Sequence, residues 1–208
     1  MEEAWQFFKD LLHPASIVKL GPPLLLFVIF AETGLFFGFF LPGDNLVILS
    51  GFLCATRPDL LQTNIYVLLT AMSIAAIAGN LVGYFFGKRV GVSLYKRPDS
   101  FFLKRRHVDA TKKFYEKHGG KTLFIGRFLP VIRTFAPILA GVIAVDFKKF
   151  VLYNIAGAIC WIGSLGGISY YLGKRFPWLI DYMNYIVVGM IVITAIPVVV
   201  AYFKGRKP

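Results

Sequence analysis

Ionisable and sulfur-bearing side chains are scarce in this sequence. Of its 208 residues only 16% are charged, 2 are Cys and 3 are His, whereas 57% are hydrophobic. Together, the few charges and the many apolar residues are typical of an integral membrane protein of one domain and leave no part of the chain for a soluble domain. Cys54 and Cys160 have no nearby partner and no His at metal-ligand spacing, so we expect neither a disulfide framework nor a metal or other cofactor.

Acidic residues are also few, with 11 Asp and Glu against 23 Lys and Arg, which leaves a net charge of +12. Eleven of the basic residues fall between Lys88 and Lys121, in a block flanked by apolar segments. In a membrane protein such a block is the positive-inside signal. We therefore expect residues 87–121 in the cytoplasm and no nucleic-acid partner.

The first residues lack the basic region and the small-residue cleavage site of a signal peptide, so none is expected. Within residues 1–15, Trp5, Phe8 and Leu12 recur at helical spacing. This pattern predicts an amphipathic helix that lies at the membrane interface.

Residues 17–55 form the first long apolar stretch. Its 39 residues are too many for one span of about 20 residues and too few for two spans with a loop. The break at Pro42 and Gly43 therefore predicts a re-entrant hairpin.

Residues 65–86 predict a transmembrane helix, in which Gly79 and Gly83 provide a small-residue face for close helix packing.

A second broken stretch, residues 122–147, lies between the basic block and Lys148. Pro130 and Pro137 each remove a backbone hydrogen bond and clash with the preceding turn. Unpaired backbone at membrane depth is tolerated only where protein covers it or where it lines a water-filled cavity. Because positive charge flanks both ends, we predict a second re-entrant hairpin that enters and leaves on the same side.

Residues 150–172 and 179–203 predict two further transmembrane helices, followed by a basic tail that we expect in the cytoplasm. The motif GYFFGKR at 83–89 matches SYYLGKR at 169–175, and each closes a span that follows a broken hairpin. The two spans end on opposite sides. We therefore predict an all-α integral membrane protein, an inverted repeat of two re-entrant hairpins with transmembrane and amphipathic interfacial helices, which is a transporter architecture.

Arg127 and Arg133 lie inside the second hairpin with no acidic residue beside them. A charge at membrane depth costs roughly 2.5–3.5 kcal/mol on insertion scales, so such residues usually face a cavity or a partner. Guanidinium matches phosphate bidentately and stays charged when buried. We predict an anion-binding site; the alternative is that each arginine snorkels to the interface.

Glu32 and Asp44 lie in the first hairpin. A desolvated carboxylate can exchange a proton near neutral pH, as proton relays in transporters do. The alternative is that both acids simply neutralise the two arginines in a structural network. Asn80 and Asn154 are interpreted as inter-helix hydrogen bonders that could support the site, and Trp161 as a packing residue.

Taken together, these residues resemble those of the DedA family of bacterial inner-membrane proteins, which is related to the eukaryotic VTT group. The resemblance covers roughly residues 24–175. It is carried by Glu32, by FLPGD at 40–44, by GNLVGYFFGKRVG at 79–91, by GRFLPVIRTFAPILAG at 126–141, and by Asn154, Gly157, Ala158 and Trp161.

The resemblance implies a pair of inverted re-entrant hairpins with membrane carboxylates at Glu32 and Asp44 and functional arginines at Arg127 and Arg133. It also implies recycling of undecaprenyl phosphate, the lipid carrier of cell-wall precursors, with dependence on the proton-motive force. Eukaryotic relatives scramble phospholipids.

The expected function is a flippase that carries a phosphate-headed lipid, with that lipid and protons as its partners. Arg127 and Arg133 would bind the phosphate, and Glu32 or Asp44 would take the proton. Two alternatives stay open: a general phospholipid translocase or scramblase, and a proton-coupled exchanger of ions or drugs. Oligomeric state stays open as well, with a homodimer among the choices.

An enzyme is not expected. A lipid phosphatase of the membrane type needs a His nucleophile, usually in a PSGH stretch, and no such stretch occurs. A metal-dependent phosphotransferase would need clustered aspartates, which are absent from the sequence as well.

Overall fold

The computed structural model describes residues 21–35, 43–95, 115, 120–128, 130–182, 185 and 189, and in these residues it contains helices and turns but no strand. The predicted helix 1–15, Pro42, most of the basic segment 87–121 and most of the span 179–203 lie outside the described residues. In chain order the helices are α1 (Pro22–Gly34), α2 (Gly43–Thr56), α3 (Pro58–Leu61), α4 (Ile65–Tyr95), α5 (Lys121–Gly126), α6 (Pro130–Val142) and α7 (Phe147–Arg175), followed by a 3-10 helix, Pro177–Tyr182.

Among the described residues, two helices, α4 and α7, are long and apolar enough to cross a membrane. They contain 31 and 29 residues. At 1.5 Å per residue each is about 45 Å long, which exceeds the roughly 30 Å hydrocarbon core of a bilayer. The predicted spans 65–86 and 150–172 lie within these helices, and both helices are longer than predicted.

Large apolar side chains are exposed along both long helices. Such a surface is unfavourable in water and suited to contact with lipid. On α4 they include Tyr66, Val67, Ile74, Phe85 and Phe86, and on α7 Leu152, Ile159, Ile168 and Tyr171.

The shorter helices occupy the segments predicted as hairpins. α1, α2 and α6 contain 13, 14 and 13 residues, so each is only about 20 Å long and cannot cross the apolar core alone. Such short helices are consistent with segments that each consist of two helical arms. The return of each segment to the side from which it enters stays a prediction.

The packing of short helices on α4 is repeated on α7, in parallel with the sequence repeat. α1 and α6 pack on α4, whereas α2 and α5 pack on α7. Each long helix therefore carries the first arm of its own segment and the second arm of the other. The matched glycines of the two sequence motifs take matched places: a Cβ added at Gly87 would lie 3.0 Å from the Ile138 Cα, and one at Gly173 would lie 3.2 Å from the Phe52 carbonyl oxygen.

The two prolines of the second segment behave differently. Pro130 is the first residue of α6, so a break does separate α5 from α6. Pro137 lies inside α6, which continues to Val142. The expected second break at Pro137 is therefore wrong. Proline costs one backbone hydrogen bond, but packing of α6 along α4 holds the helix on both sides of it, with the Pro137 ring against Gly83.

Tyr84 of α4 fixes the turn between α6 and α7. The Tyr84 ring stacks on Phe150 with ring centroids 4.5 Å apart, and its hydroxyl donates to the Val145 carbonyl at 2.6 Å. Buried aromatic pairs add roughly 0.5–1.5 kcal/mol beyond their area. This contact helps to set where α6 lies along α4, and α6 carries Arg133.

Candidate functional site

The last turn of α1 and the first turn of α2 bring two acids together. Glu32 is 1% exposed, and Asp44 is the second residue of α2. α1 reaches this position because its backbone crosses α4 closely: a Cβ added at Gly34 would lie 2.9 Å from the Gly79 Cα. The predicted packing role of Gly79 is thereby confirmed.

Arg133, on α6, pairs with both acids. Its Nη2 donates to Glu32 Oε1, and its Nη1 donates to Asp44 Oδ1 at 2.5 Å. The Arg133 residue is 7% exposed. Both Nη groups of this guanidinium are therefore engaged by carboxylates, whereas its buried Nε has no hydrogen-bond partner.

Gly43 makes the approach of α2 to Glu32 possible. A Cβ added at Gly43 would overlap the Glu32 carboxylate. The glycine is therefore required by close approach, in addition to the break that the sequence suggested.

Gly43→Ala is expected to displace the Glu32 carboxylate from Arg133 and to lower the melting temperature of the purified protein by several degrees, since about 1 kcal/mol shifts it by roughly 2–4 °C in a chain of this size. Gly163→Ala is the matched control, because a Cβ there meets no atom within 4 Å. Equal melting temperatures for the two variants would contradict the close contact at Gly43.

Arg127, in the break after α5, has different partners. Its Nη1 donates to the Asn154 side-chain oxygen at 2.7 Å and to the Asn154 carbonyl at 3.1 Å. The residue is 4% exposed. Among the described residues no acid forms a salt bridge with it, and its Nη2 has no hydrogen-bond partner.

Asn80 and Asn154 connect α4 with α7, as the inter-helix interpretation predicts. Asn80 Nδ2 donates to Asn154 Oδ1 at 2.8 Å, and Asn154 Nδ2 donates to the Ile77 carbonyl at 3.2 Å. With its amide turned over, Asn80 instead donates to the Thr33 carbonyl at 3.0 Å and accepts from Arg127 Nη1 at 2.9 Å. In the first orientation Asn154 alone accepts from the Arg127 guanidinium, and in the second orientation both amides do.

Trp161 is part of the site, which the interpretation as a packing residue missed. Its Nε1–H donates to Asp44 Oδ1 at 3.0 Å. The Cζ atoms of Arg133 and Arg127 lie 4.5 and 5.8 Å from its ring centroid. A signal was present in the sequence: Asn154, Gly157, Ala158 and Trp161 follow the i, i+3, i+4, i+7 spacing of one helix face, and the first of them is polar.

A small cavity lies beside the two guanidiniums, with space for about one water molecule. Both polar and apolar side chains line it: Asn80, Leu123, Arg127, Arg133, Ala136, Pro137, Phe150 and Asn154.

The site contains equal numbers of positive and negative side chains, but they are not paired one to one. Two arginines and two acids sum to zero, yet both acids bind Arg133. An uncompensated buried charge costs several kcal/mol. Arg127 therefore keeps a donor group that no ion pair among the described residues engages.

Fold and site together define a helical integral membrane protein with a buried cluster of two arginines and two acids. A family model described as the VTT domain matches residues 41–174. Over 184 residues the chain is 36% identical to "Protein DedA" of Escherichia coli (strain K12), with 88% of this chain and 83% of that protein covered. The chain belongs to the DedA family of VTT-domain membrane proteins, as its motifs predict.

Two further relatives carry only general names. An uncharacterized membrane protein of Mycobacterium leprae is 34% identical over 201 residues, covering 97% of this chain and 84% of that protein. One from Mycobacterium tuberculosis is 32% identical over 188 residues, covering 89% and 81%. No solved structure matches the chain significantly.

Proposed function

We propose that this protein is a flippase for a phosphate-headed lipid and carries it across the bacterial cytoplasmic membrane. The observation that carries the proposal is Arg127, a buried guanidinium with no acidic partner among the described residues and with a free Nη2. It lines a cavity. A phosphate oxygen is the ligand that best satisfies such a group, because guanidinium and phosphate form short charge-assisted hydrogen bonds.

Arg133 has a second role in this proposal. While Glu32 and Asp44 are ionised they hold its guanidinium. Protonation of either acid weakens that pairing and frees a second donor group for the phosphate, so that proton movement and headgroup binding become linked. Carboxylates at membrane depth serve as proton relays in other transporters.

The apolar tail of the lipid would stay in the bilayer, next to the exposed apolar side chains of α4 and α7. Undecaprenyl phosphate is the substrate that the family resemblance favours, moved from the outer to the cytoplasmic face. The basic segment 87–121 and the carboxyl-terminal tail would lie in the cytoplasm. The protein would transport the lipid without cleaving a bond in it.

Purified protein in liposomes that contain polyprenyl phosphate tests the proposal. A phosphatase that cannot cross the membrane is added outside and hydrolyses the lipid phosphate of the outer leaflet. Vesicles with protein should release nearly all of the phosphate and empty vesicles only the outer half. Release that stops at the outer half with protein present would contradict a flippase.

The same vesicles distinguish the alternatives. A fluorescent phosphatidylcholine that moves as fast as the polyprenyl phosphate would favour a general scramblase. Phosphate released before any phosphatase is added would indicate an enzyme. If Asp44→Asn stops ion-driven proton flux but leaves lipid movement unchanged, the protein is an exchanger.

A further inference from the structure

Trp161 contacts three of the four charged side chains of the site. Arg133 and Arg127 lie 4.5 and 5.8 Å from the centroid of its ring, and its N–H donates to Asp44 Oδ1 at 3.0 Å. The residue is 2% exposed. These contacts come from three separate segments of the chain: α2, α6 and the break after α5.

The indole group of Trp161 interacts both through its ring face and through its N–H. The negative potential of the ring face attracts cations, Trp more strongly than Tyr or Phe, and the attraction is largest where water is excluded. Two guanidiniums near one ring repel each other, and the ring offsets part of that repulsion. The N–H adds a second donor to Asp44 Oδ1, which already accepts from Arg133 Nη1.

We propose that Trp161 is the positioning residue that links the two arginines: its ring holds Arg127 beside the cavity, and its N–H holds Asp44 on Arg133. The inference rests on the proposed function, because the group that Trp161 positions is the one assigned to the lipid phosphate. If Trp161 only filled space, the shape of its indole would matter, but the electron density of the ring and the N–H would not.

Graded fluorination separates these roles. Trp5 and Trp178 are replaced by Phe, so that Trp161 is the only tryptophan, and ring-fluorinated tryptophans are incorporated at position 161. Fluorine withdraws electron density from the ring face and barely changes its shape. The KM for polyprenyl phosphate should rise stepwise with the number of fluorines, by about tenfold across the series, while kcat changes less. A KM that is constant across the series would overturn the inference.

Replacing the indole N–H by sulfur, as benzothienylalanine at position 161, tests the second contact. The ring and its shape remain, but Asp44 loses a donor. Loss of a hydrogen bond to a charged group should lower transport by about tenfold. Unchanged transport would contradict the claim that the N–H of Trp161 holds Asp44 on Arg133. Trp178 is 58% exposed, so Trp178→Phe is the matched control and should transport at the wild-type rate.

A measurement without transport keeps the two proposals apart. The ¹⁹F resonance of 5-fluorotryptophan at position 161 should shift in Arg127→Gln and in Asp44→Asn, and stay unchanged in Arg175→Gln, which replaces an exposed cation. If these shifts occur but wild-type protein moves no lipid, the flippase proposal fails and the positioning of Arg127 and Asp44 stands. If lipid moves but neither variant shifts the resonance, the inference about Trp161 fails alone.

Discussion

Replacing Arg127 by Gln is expected to weaken the binding of phosphate-headed lipid by about 10- to 100-fold, because each hydrogen bond to a charged group contributes about 1.5–3 kcal/mol. The melting temperature should change little: two hydrogen bonds to Asn154 are lost, but a buried charge without an ionic partner among the described residues is removed at the same time. Transport in liposomes as a function of lipid concentration measures the first effect, and thermal unfolding in detergent measures the second.

Arg175→Gln is the control for this substitution. It removes the same charge from an exposed position at the end of α7, and both lipid transport and stability should remain at the wild-type level. Wild-type transport by Arg127→Gln, or equal losses in both variants, would contradict the role assigned to Arg127.

Replacing Arg133 by Gln, in contrast to replacing Arg127, is expected to cause a large loss of stability. The substitution leaves the buried Glu32 and the partly buried Asp44 without their cation, and breaking a buried pair in this way costs about 3–5 kcal/mol. Thermal unfolding should show a correspondingly large decrease in melting temperature. Transport should be lost as well, since the second donor to the phosphate is gone.

Removing the acids should restore stability but not transport. In the triple variant Glu32→Gln, Asp44→Asn, Arg133→Gln no buried carboxylate lacks a partner, so most of the lost melting temperature should return. Lipid transport should stay absent, because both the proton-binding groups and the guanidinium are missing. If Arg133→Gln alone is as stable as wild type, the three side chains do not form the ion-paired unit described above.

The two arginines illustrate how far the sequence alone leads. Both stood out as unpaired charges in a long apolar segment, and from the sequence they appeared equivalent, as joint ligands of a phosphate. In the structure Arg133 is held by two acids and Arg127 by Asn154. Sequence spacing could not separate them because their partners lie 101, 89 and 27 residues away.

Helix boundaries show the same limit. The apolar segments located α4 and α7 but not their full lengths, since a helix can extend beyond the apolar core into polar surroundings. Pro137 suggested a break that is absent, because packing against α4 outweighs the loss of one hydrogen bond. Trp161 was assigned to packing because an aromatic residue in an apolar helix usually packs, and only its neighbours reveal another role.

By itself, the sequence determined that this is a helical membrane protein, where its apolar segments lie, and which four charged residues fall within those segments. Hydrophobicity and the cost of burying a charge are properties of each residue, so they can be read in order along the chain. Only the tertiary structure decided that Arg133 binds Glu32 and Asp44, that Arg127 keeps a free donor, and that Trp161 touches both arginines. Those contacts depend on which helices pack together, and an apolar surface can pack against many others without specifying a partner.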